Sequence, residues 1–417
     1  MKLVVLGSAI ALILIACGGG ATSGTASPSA PVSQQCPGST SKPNPTATGA
    51  TPPAVTGLRL PSGFTMSLIA HVGGARELAI ASNGDLFVGT NASAVYIVPR
   101  ADDYGLAGTP TIFAQMADAP AAGLTLANCS LYVGTQFGVW RIPYAVGDRS
   151  SSSAPIRIAK VRTDASRSDH ITTSVAFSGK TLFAGVGSSS NNAWPEIDAT
   201  HATIQSMGPN GENMQPVATQ IRNAIALTIN PQTGTLWAGV AGQDELQTGH
   251  PYEIFDAVAS RGGVANYGWP FCYENKRDDN ESGDPHECAQ AAVPKVVFPA
   301  YETPIGAAFY PASPAGPYAF PSRYRGGVFV TLHGSWHQSN GIFIAPPRVA
   351  FVPMNGDSPQ TPVNWGHPTT QWQEFVGGYQ DQSGNRSGRP TGIAVGPQGD
   401  LFVADDDTGN IYRIRPK

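Results

Sequence analysis

The feature that most constrains the fold of this chain is a short two-strand unit that recurs six times. Each copy has an apolar run, a turn and a second apolar run, which is the pattern of a β-hairpin. Two copies, Leu78–Val88 and Ile393–Val403, end in the same five residues, Gly-Asp-Leu-Phe-Val. The other copies lie at 124–133, 175–184, 225–238 and 307–331, the last with an insertion between its strands. Such repetition predicts structural modules that each pack against the next.

The number and spacing of the copies predict an all-β fold, a six-bladed β-propeller of four-stranded antiparallel blades. About 60 residues are available to each copy, which is enough for four strands and their loops. A β-solenoid is the alternative, but it needs shorter and more uniform repeats. The 417 residues include 48 Gly and 36 Pro, and only 13% are charged. So many helix-breaking residues disfavour a helical bundle and suit a turn-rich β fold.

The first 17 residues have the pattern of an export signal. Lys2 precedes an apolar run at 3–16, which is shorter than the roughly 20 residues of a membrane span. The end of the run, Leu14-Ile-Ala-Cys17, resembles a bacterial lipobox. We therefore expect 1–17 to be a lipoprotein signal peptide. Cys17 would carry a lipid that anchors the exported protein at a membrane, on the periplasmic or cell-surface side. An ordinary signal peptide with an incidental Cys is the alternative.

The next segment has the composition of a linker. Residues 18–57 are mostly Gly, Ser, Thr, Pro and Ala, so we expect a disordered tether in front of a propeller at 58–417. The formal net charge is −4, whereas a nucleic-acid-binding protein would need a basic excess. We therefore expect no nucleic-acid partner.

The cysteines that remain after Cys17 are Cys36, Cys129, Cys272 and Cys288. Cys272 and Cys288 stand 16 positions apart in a loop-like stretch, and export permits disulfides, so they form the best pair. Cys36 lies in the tether and receives no assigned partner. The absence of Cys-x-x-Cys spacing argues against a metal site made by cysteines.

Polar side chains precede the first strand of several repeats. In a propeller these positions converge at one mouth of the central channel, because the innermost strand of each blade begins there. They are occupied here by Arg76, His170, Arg222, Asn223, Arg386 and Arg389. Several guanidinium groups together favour a site for a polyanionic small molecule, and a neutral imidazole could accept a proton from a hydroxyl. The alternative is structural: each Arg pairs with a nearby carboxylate or carbonyl, and His170 satisfies a local hydrogen bond.

Short motifs follow one another over roughly 60–417. They are Gly74-Ala-Arg-Glu-Leu-Ala79, Asn83-Gly-Asp-Leu-Phe-Val88, Asp169-His170, Val186-Gly-Ser-Ser-Ser-Asn191, Arg222-Asn223, Asp244-Glu-Leu246, Asn266-Tyr-Gly-Trp-Pro270, His333-Gly-Ser-Trp336 and Gly388-Arg-Pro-Thr-Gly392. Each motif is short, but their order and number are specific. Together they resemble the PQQ-dependent sugar dehydrogenase family, the glucose/sorbosone dehydrogenase type of propeller.

The resemblance implies PQQ-dependent oxidation of a sugar or related alcohol, followed by reoxidation of the quinone by an external electron acceptor. His170 stands at the position of the family's base, which takes the hydroxyl proton while hydride passes from carbon to the quinone. Cofactor-binding roles are implied for Arg76, Arg222, Asn223, Arg386, Arg389 and His333. Ca²⁺, which polarises the quinone as a Lewis acid, is implied at Gly242 and Gln243, where oxygen ligands suit it.

Two departures from the family pattern bear on function. Gln338, in Gly334-Ser-Trp-His-Gln338, stands where many relatives have Arg, and Ala300-Tyr-Glu-Thr-Pro304 lacks the His that relatives often carry. These changes bear on substrate preference and cofactor affinity. Two rival functions therefore stay open, a binding propeller without cofactor and a metal-dependent propeller lactonase. The lactonase would need inward Asp, Glu or Asn from several blades, whereas the mouth positions here are mainly Arg and His.

Overall fold

Six antiparallel sheets of four strands follow one another along the chain and confirm the predicted all-β, six-bladed propeller. The computed structural model describes residues 55–103, 107–163, 169–246, 249–258, 263–278 and 288–417. The predicted signal peptide, Cys17, Cys36 and most of the predicted tether lie outside these residues. Among the described residues, no helix is both long and apolar enough to cross a membrane.

The strands are numbered in chain order, and the first one, β1 (Phe64–His71), precedes all of the repeats. Blade 1 contains β2 (Ala75–Ile80), β3 (Leu86–Thr90), β4 (Ala94–Val98) and β5 (Thr111–Gln115). Blade 2 contains β6 (Gly123–Ala127), β7 (Ser130–Thr135), β8 (Gly138–Pro143) and β9 (Ile156–Lys160). Blade 3 contains β10 (Thr173–Ser178), β11 (Thr181–Val186), β12 (Thr203–Met207) and β13 (Gln215–Thr219).

The other three blades are built in the same way. Blade 4 contains β14 (Asn223–Ile229), β15 (Leu236–Ala241), β16 (Glu253–Ala257) and β20 (Val296–Phe298). Blade 5 contains β21 (Pro304–Phe309), β22 (Val328–Leu332), β25 (Arg348–Val352) and β28 (Gln373–Val376). Blade 6 contains β29 (Pro390–Val395), β30 (Leu401–Asp405), β31 (Asn410–Pro416) and, as its outer strand, β1.

Shorter elements decorate this frame. A two-residue strand, β17 (Ala265–Asn266), adds to blade 3 in parallel with β13. Small hairpins pair β18 (Cys272–Tyr273) with β19 (Arg277–Asp278), β23 (Gln338–Ser339) with β24 (Ile342–Phe343), and β26 (Met354–Asn355) with β27 (Ser358–Pro359). Short 3-10 helices cover Cys288–Gln290 and Ser322–Tyr324. Cys272 and Cys288, the pair favoured by their spacing, are joined by a disulfide with their Cα atoms 5.7 Å apart.

The ring is closed by its two chain ends. Strand β1 pairs antiparallel with β31, from Phe64 opposite Pro416 to His71 opposite Asn410. The innermost strands β2, β6, β10, β14, β21 and β29 contact one another in a complete circle. Backbones approach closely at this hub: a Cβ at Gly392 would lie 2.2 Å from the carbonyl oxygen of Arg76, so only glycine fits there.

The hydrophobic core is divided among the blade interfaces. Each of the six larger clusters of buried apolar residues joins side chains of two neighbouring blades. The largest, between blades 5 and 6, contains Phe64, Phe320, Phe329 and Phe375, whose rings meet at 4.7–5.9 Å. Each blade therefore buries its faces against its two neighbours, which is the modular packing that the sequence repeats predict.

The two ends of the central channel differ in chemistry. All inner strands begin at one end, here called the mouth, and run toward the other end. The far end is an apolar cavity of about 780 Å³ lined by residues such as Leu78, Leu126, Phe177 and Ile393. The polar side chains predicted from the sequence stand at the mouth: Arg76 and Asn223 lie at the start of β2 and β14, and the others precede the inner strands or lie on the loops beside them.

Candidate functional site at the channel mouth

His170 lies just before β10 and is held through one ring nitrogen. Its Nδ1 is 3.0 Å from the backbone oxygen of Ser188 and 3.0 Å from the Ser188 hydroxyl. That hydroxyl donates to the carbonyl of Ser190 at 2.7 Å, so both Ser188 oxygens act as acceptors. Nδ1 therefore carries the proton, and Nε2 carries the lone pair that a base needs.

The surroundings of His170 keep its ring neutral. Burial, and then the positive charge of Arg222, lower the pKa of His170 from 6.5 to about 3. The hydrogen bond to Ser188 acts in the opposite direction but is the weaker effect. A neutral imidazole with Nε2 unprotonated is the form in which His accepts a proton from a hydroxyl.

Arg222 is the centre of a hydrogen-bond network that joins blades 3 and 4. Its Nε donates to the backbone oxygen of Asn191 at 3.0 Å, and its Nη2 donates to Asn191 Oδ1 at 2.8 Å and to Asp244 Oδ2 at 3.3 Å. Asn191 also bonds the backbone of Asp244 in both directions, at 2.8 and 3.0 Å. These contacts fix the guanidinium beside His170, and burial lowers the pKa of Arg222.

The loop predicted to hold calcium lies against the same Arg. The Gly242 carbonyl accepts a hydrogen bond from Nη1 of Arg222, and the Gly242 N–H donates to Glu253 Oε2 at 2.7 Å. Glu253 is buried, and burial raises its pKa to about 7. Gln243 is buried next to Gly242. The described residues contain no group of three or more His, Cys, Asp or Glu side chains placed to hold a metal ion.

A second cluster at the mouth joins blades 1, 5 and 6 through Asp406. Its two carboxylate oxygens contact Nη1 of Arg76 and Nε2 of His333, each at 2.9 Å. Burial lowers the pKa of His333 to about 4, so its ring is neutral. Burial raises the pKa of Asp406, but the hydrogen bond from His333 and the charge of Arg76 outweigh it and lower that pKa to about 2. Asp406 follows the second strand of blade 6 rather than preceding an inner strand, so its sequence position did not mark it as a residue of the mouth.

The remaining predicted arginines hold the loop of blade 5. Arg389 donates to the carbonyls of His333 at 3.2 Å and Gly334 at 3.1 Å. Arg386 donates to the carbonyls of Ser335 and Ala345, and its guanidinium lies 3.7 Å from the ring centroid of Phe343. Burial, reinforced by the charge of Arg389, lowers the pKa of Arg386 to about 10. Arg386 therefore closes the base of the loop that carries the exposed Gln338.

Asn223 presents an unsatisfied polar atom beside the candidate base. Its side chain is buried, and Oδ1 has no hydrogen-bond partner among the described residues. A Cβ at Gly187 would lie 2.4 Å from Cβ of His170 and 2.5 Å from Oδ1 of Asn223. Gly187 thus allows these two side chains to approach each other at the start of blades 3 and 4.

The loops of blades 4 and 5 meet across the mouth. His337 Nε2 is 3.3 Å from Asp244 Oδ1, and the Tyr301 ring packs against His337 at 5.0 Å between centroids. The Tyr301 hydroxyl accepts the N–H of Glu245 at 3.1 Å. Tyr301 lies in the segment at 300–304, one of the two departures from the family pattern.

The donors left at the mouth fit a polycarboxylate. Within the described part of the chain, Arg76 uses Nη1 alone, and Arg389 leaves Nη1 without an acceptor. These unused guanidinium donors belong to the cluster around Asp406, whereas Arg222 lies beside His170. Fold and site together define a class of protein, a six-bladed propeller with several arginines at the channel mouth and the neutral imidazole of His170 as the candidate base.

Comparisons with known proteins agree with that class. The family model described as TrAA12-like matches residues 58–417. The chain belongs to this family, which confirms the resemblance to PQQ-dependent sugar dehydrogenases.

Solved structures share the fold at low sequence identity. A Trichoderma reesei structure described as carbohydrate-active enzymes family AA12 is 18% identical, with 90% of this chain and 100% of that chain covered and a TM-score of 0.70. The holo PQQ domain of pyranose dehydrogenase from Coprinopsis cinerea is 16% identical, with 89% and 99% covered and a TM-score of 0.71. The PQQ-bound aldose sugar dehydrogenase from Streptomyces coelicolor is 17% identical, with 86% and 100% covered and a TM-score of 0.57.

A similar curated protein carries no functional name. An uncharacterized protein of Borreliella burgdorferi is 22% identical over 234 residues, and the alignment spans 56% of each chain. The match therefore extends over about half the length of that relative.

Proposed function

We propose that this protein oxidises a sugar or related alcohol with PQQ as its cofactor and His170 as the base. The observation that carries the proposal is the neutral imidazole of His170, fixed through Nδ1 and placed beside the buried guanidinium of Arg222. The family match and the PQQ-containing structures of similar fold support the cofactor.

The residues divide into binding and proton transfer. Arg76 and Arg389 would bind carboxylates of PQQ through their unused N–H donors, and Arg222 and Asn223 would lie at its edge beside His170. When bound, PQQ supplies a two-electron acceptor for the hydride that leaves the substrate carbon. His170 would take the hydroxyl proton at Nε2, while Ser188 keeps the ring oriented. Reoxidation of the quinone would require an external electron acceptor.

A negatively charged cofactor would also adjust the base. Arg222 disfavours protonation of His170 in the free protein. The negative charge of a cofactor whose edge lies near Arg222 would offset that positive charge and would therefore raise the proton affinity of the imidazole.

Calcium is a separate part of the proposal. A calcium structure of the Trichoderma reesei relative supports it, at 17% identity and a TM-score of 0.68. In this chain the Gly242 carbonyl accepts a hydrogen bond from Arg222, and the residues that the structure describes offer no group of three or more His, Cys, Asp or Glu side chains for a metal ion. The arrangement of Gly242 and Gln243 therefore does not fit a calcium site as it stands, and no step is assigned to the ion.

Reconstitution tests the proposal. Purified apo-protein would receive PQQ, with and without Ca²⁺, together with a dye acceptor and a panel of aldoses and polyols. We expect protein-bound quinone absorbance and dye reduction by at least one sugar. His170→Gln should abolish turnover while the bound absorbance stays. If His170→Gln instead lost bound quinone absorbance and turnover in the same proportion, His170 would bind the cofactor rather than act as the base.

The same experiment separates the rival functions. A protein that binds neither PQQ nor an oxidisable sugar would be a binding propeller. Metal-dependent hydrolysis of lactones without quinone would identify a lactonase. Export and lipid anchoring through Cys17 are also proposed, on the lipobox alone. They predict that Cys17→Ser abolishes incorporation of a labelled fatty acid and releases the protein from the membrane fraction.

A further inference from the structure

We propose that Trp194 is a stacking platform for a second sugar unit, so that the preferred substrate is an oligosaccharide rather than a free monosaccharide. This inference rests on the proposed function, whose reacting sugar would lie at His170. It assigns a distal subsite to the loop at 187–202, between β11 and β12.

One loop carries both the platform and the partner of the base. Ser188 at its start binds His170, and Trp194 stands at its tip, six positions further on. Six residues span at most about 20 Å, and the bond from the Ala193 N–H to Ser190 Oγ at 2.8 Å folds the tip back. A short oligosaccharide can bridge such a separation.

The ring of Trp194 is exposed, but its orientation is fixed by neighbouring aromatic rings. Its exposed fraction is 45%, which is high for a large aromatic residue. It packs edge-to-face against Trp269 and Phe271, with centroids 6.4 and 6.2 Å away. Both of these rings are buried. Because the supporting rings fix its orientation, Trp194 loses little conformational freedom when a ligand stacks on it.

The platform is connected to the candidate active site. Trp269 donates its indole N–H to the backbone oxygen of Asn191 at 3.2 Å, and the same oxygen accepts Nε of Arg222 at 3.0 Å. The stack of Trp194 on Trp269 is therefore tied to the guanidinium beside His170. A ligand that touches Trp194 and a ligand at His170 would bind parts of one connected structure.

The chemistry around Trp194 favours a carbohydrate over a protein partner. The large exposed apolar side chains at this tip are Trp194 and Ile197, and the polar Ser190 and Asn192 lie beside them. A sugar ring needs one flat apolar surface together with hydrogen-bonding groups for its hydroxyls. A stable protein interface needs roughly 800 Å² from each partner with an apolar centre, whereas one aromatic ring flanked by polar side chains matches the size of a sugar.

Binding to the cofactor-free protein gives the first test. Calorimetry would compare glucose with maltose, cellobiose and lactose on wild type, Trp194→Ala and Trp194→Phe. Ile197→Ala is the matched control, because Ile197 is equally exposed at 45% on the same loop but lacks a ring. We expect at least one disaccharide to bind more tightly than glucose, and only Trp194→Ala to remove that advantage.

Kinetics of the PQQ-loaded enzyme give the second test. Trp194→Ala should lower kcat/KM for the preferred disaccharide about tenfold, equivalent to about 1.4 kcal/mol, and leave that for glucose unchanged. Trp194→Phe should keep most of the activity. Equal losses on both sugars, no loss on either, a rise only in the KM for the electron acceptor, or a wild type that binds no disaccharide would each overturn the assignment. Disaccharide binding that depends on Trp194 in a protein without oxidation activity would uphold this subsite and refute the proposed function instead.

Discussion

Replacement of Arg222 by an uncharged residue should raise the pKa of His170. The pKa of His170 is lowered from 6.5 to about 3, which corresponds to about 5 kcal/mol against the charged ring at about 1.4 kcal/mol per pKa unit. Burial is the largest cause and the charge of Arg222 is the second. A neighbouring charge is worth about one unit or more, so we expect Arg222→Met to raise the pKa of His170 by about that amount.

The measurement is an NMR titration of the imidazole resonances in apo-protein. The chain has 8 His, and the signal of His170 is assigned by its loss in His170→Gln. Arg222→Lys is the charge control, because it keeps the positive charge and should leave the pKa low. His333 is the internal control, because its pKa depends on burial, Asp406, Arg389 and Arg76 rather than on Arg222.

The outcome bears on how the base works. In wild type, His170 should stay neutral down to about pH 4, and addition of PQQ should raise its pKa. A wild-type titration near pH 6.5 would refute the reasoning, because it would show that His170 is neither desolvated nor opposed by Arg222. Equal shifts of His170 and His333 in Arg222→Met would show a general loosening of the mouth rather than loss of one charge.

Three further predictions follow from the same geometry. Gly187→Ala places a Cβ 2.4 Å from Cβ of His170, so kcat should fall about 100-fold while the circular dichroism spectrum stays unchanged. The control is Gly73→Ala, whose added Cβ meets nothing within 4 Å and which should keep the wild-type kcat. The pKa of Asp406 is lowered to about 2, so urea unfolding should show that Asp406→Asn is about 2 kcal/mol less stable than wild type at pH 7. If this difference in stability did not shrink as the pH falls below about 4, the ionised carboxylate of Asp406 would not be its cause. Burial raises the pKa of Glu77 to about 8, so the folded protein keeps this proton between pH 5 and 8. As the pH rises from 5 to 8, the free energy of unfolding of wild type should therefore fall relative to that of Glu77→Gln by up to about 1.4 kcal/mol per pH unit. A difference in urea midpoint between the two proteins that is the same at pH 5 and at pH 8 would rule this out.

The parts of the fold that repeat were predictable, and the parts that occur once were not. The hairpin pattern of Leu78–Val88 returns in Ile393–Val403, because inner strands of every blade face the same packing problem. Strand β1 has no counterpart among the repeats, so its pairing with β31 could not be seen. Likewise, nothing local in the sequence marks the parallel strand β17, whose place depends on blade 3.

The candidate site divides in the same way. Positions before inner strands are fixed by the topology, so Arg222 and His170 could be placed at one mouth from their sequence positions. The role of Asp406 depends on two partners, Arg76 and His333, that are 330 and 73 positions away. The contact of Asp244 with His337 spans 93 positions and joins loops of different blades. Such contacts depend on loop conformations that no periodic pattern encodes.

Loop length also divides the mouth into two sides. The connections from the second to the third strand are short turns in blades 1, 2 and 6, at 91–93, 136–137 and 406–409. In blades 3, 4 and 5 the corresponding connections run over 187–202, 242–252 and 333–347. The three long connections belong to consecutive blades, and those of blades 3 and 5 carry Trp194 and Trp336, which are 45% and 68% exposed. A cofactor bound at this mouth, as proposed, would therefore be flanked by the longest of these connections on the side of blades 3, 4 and 5, the side on which His170 precedes blade 3.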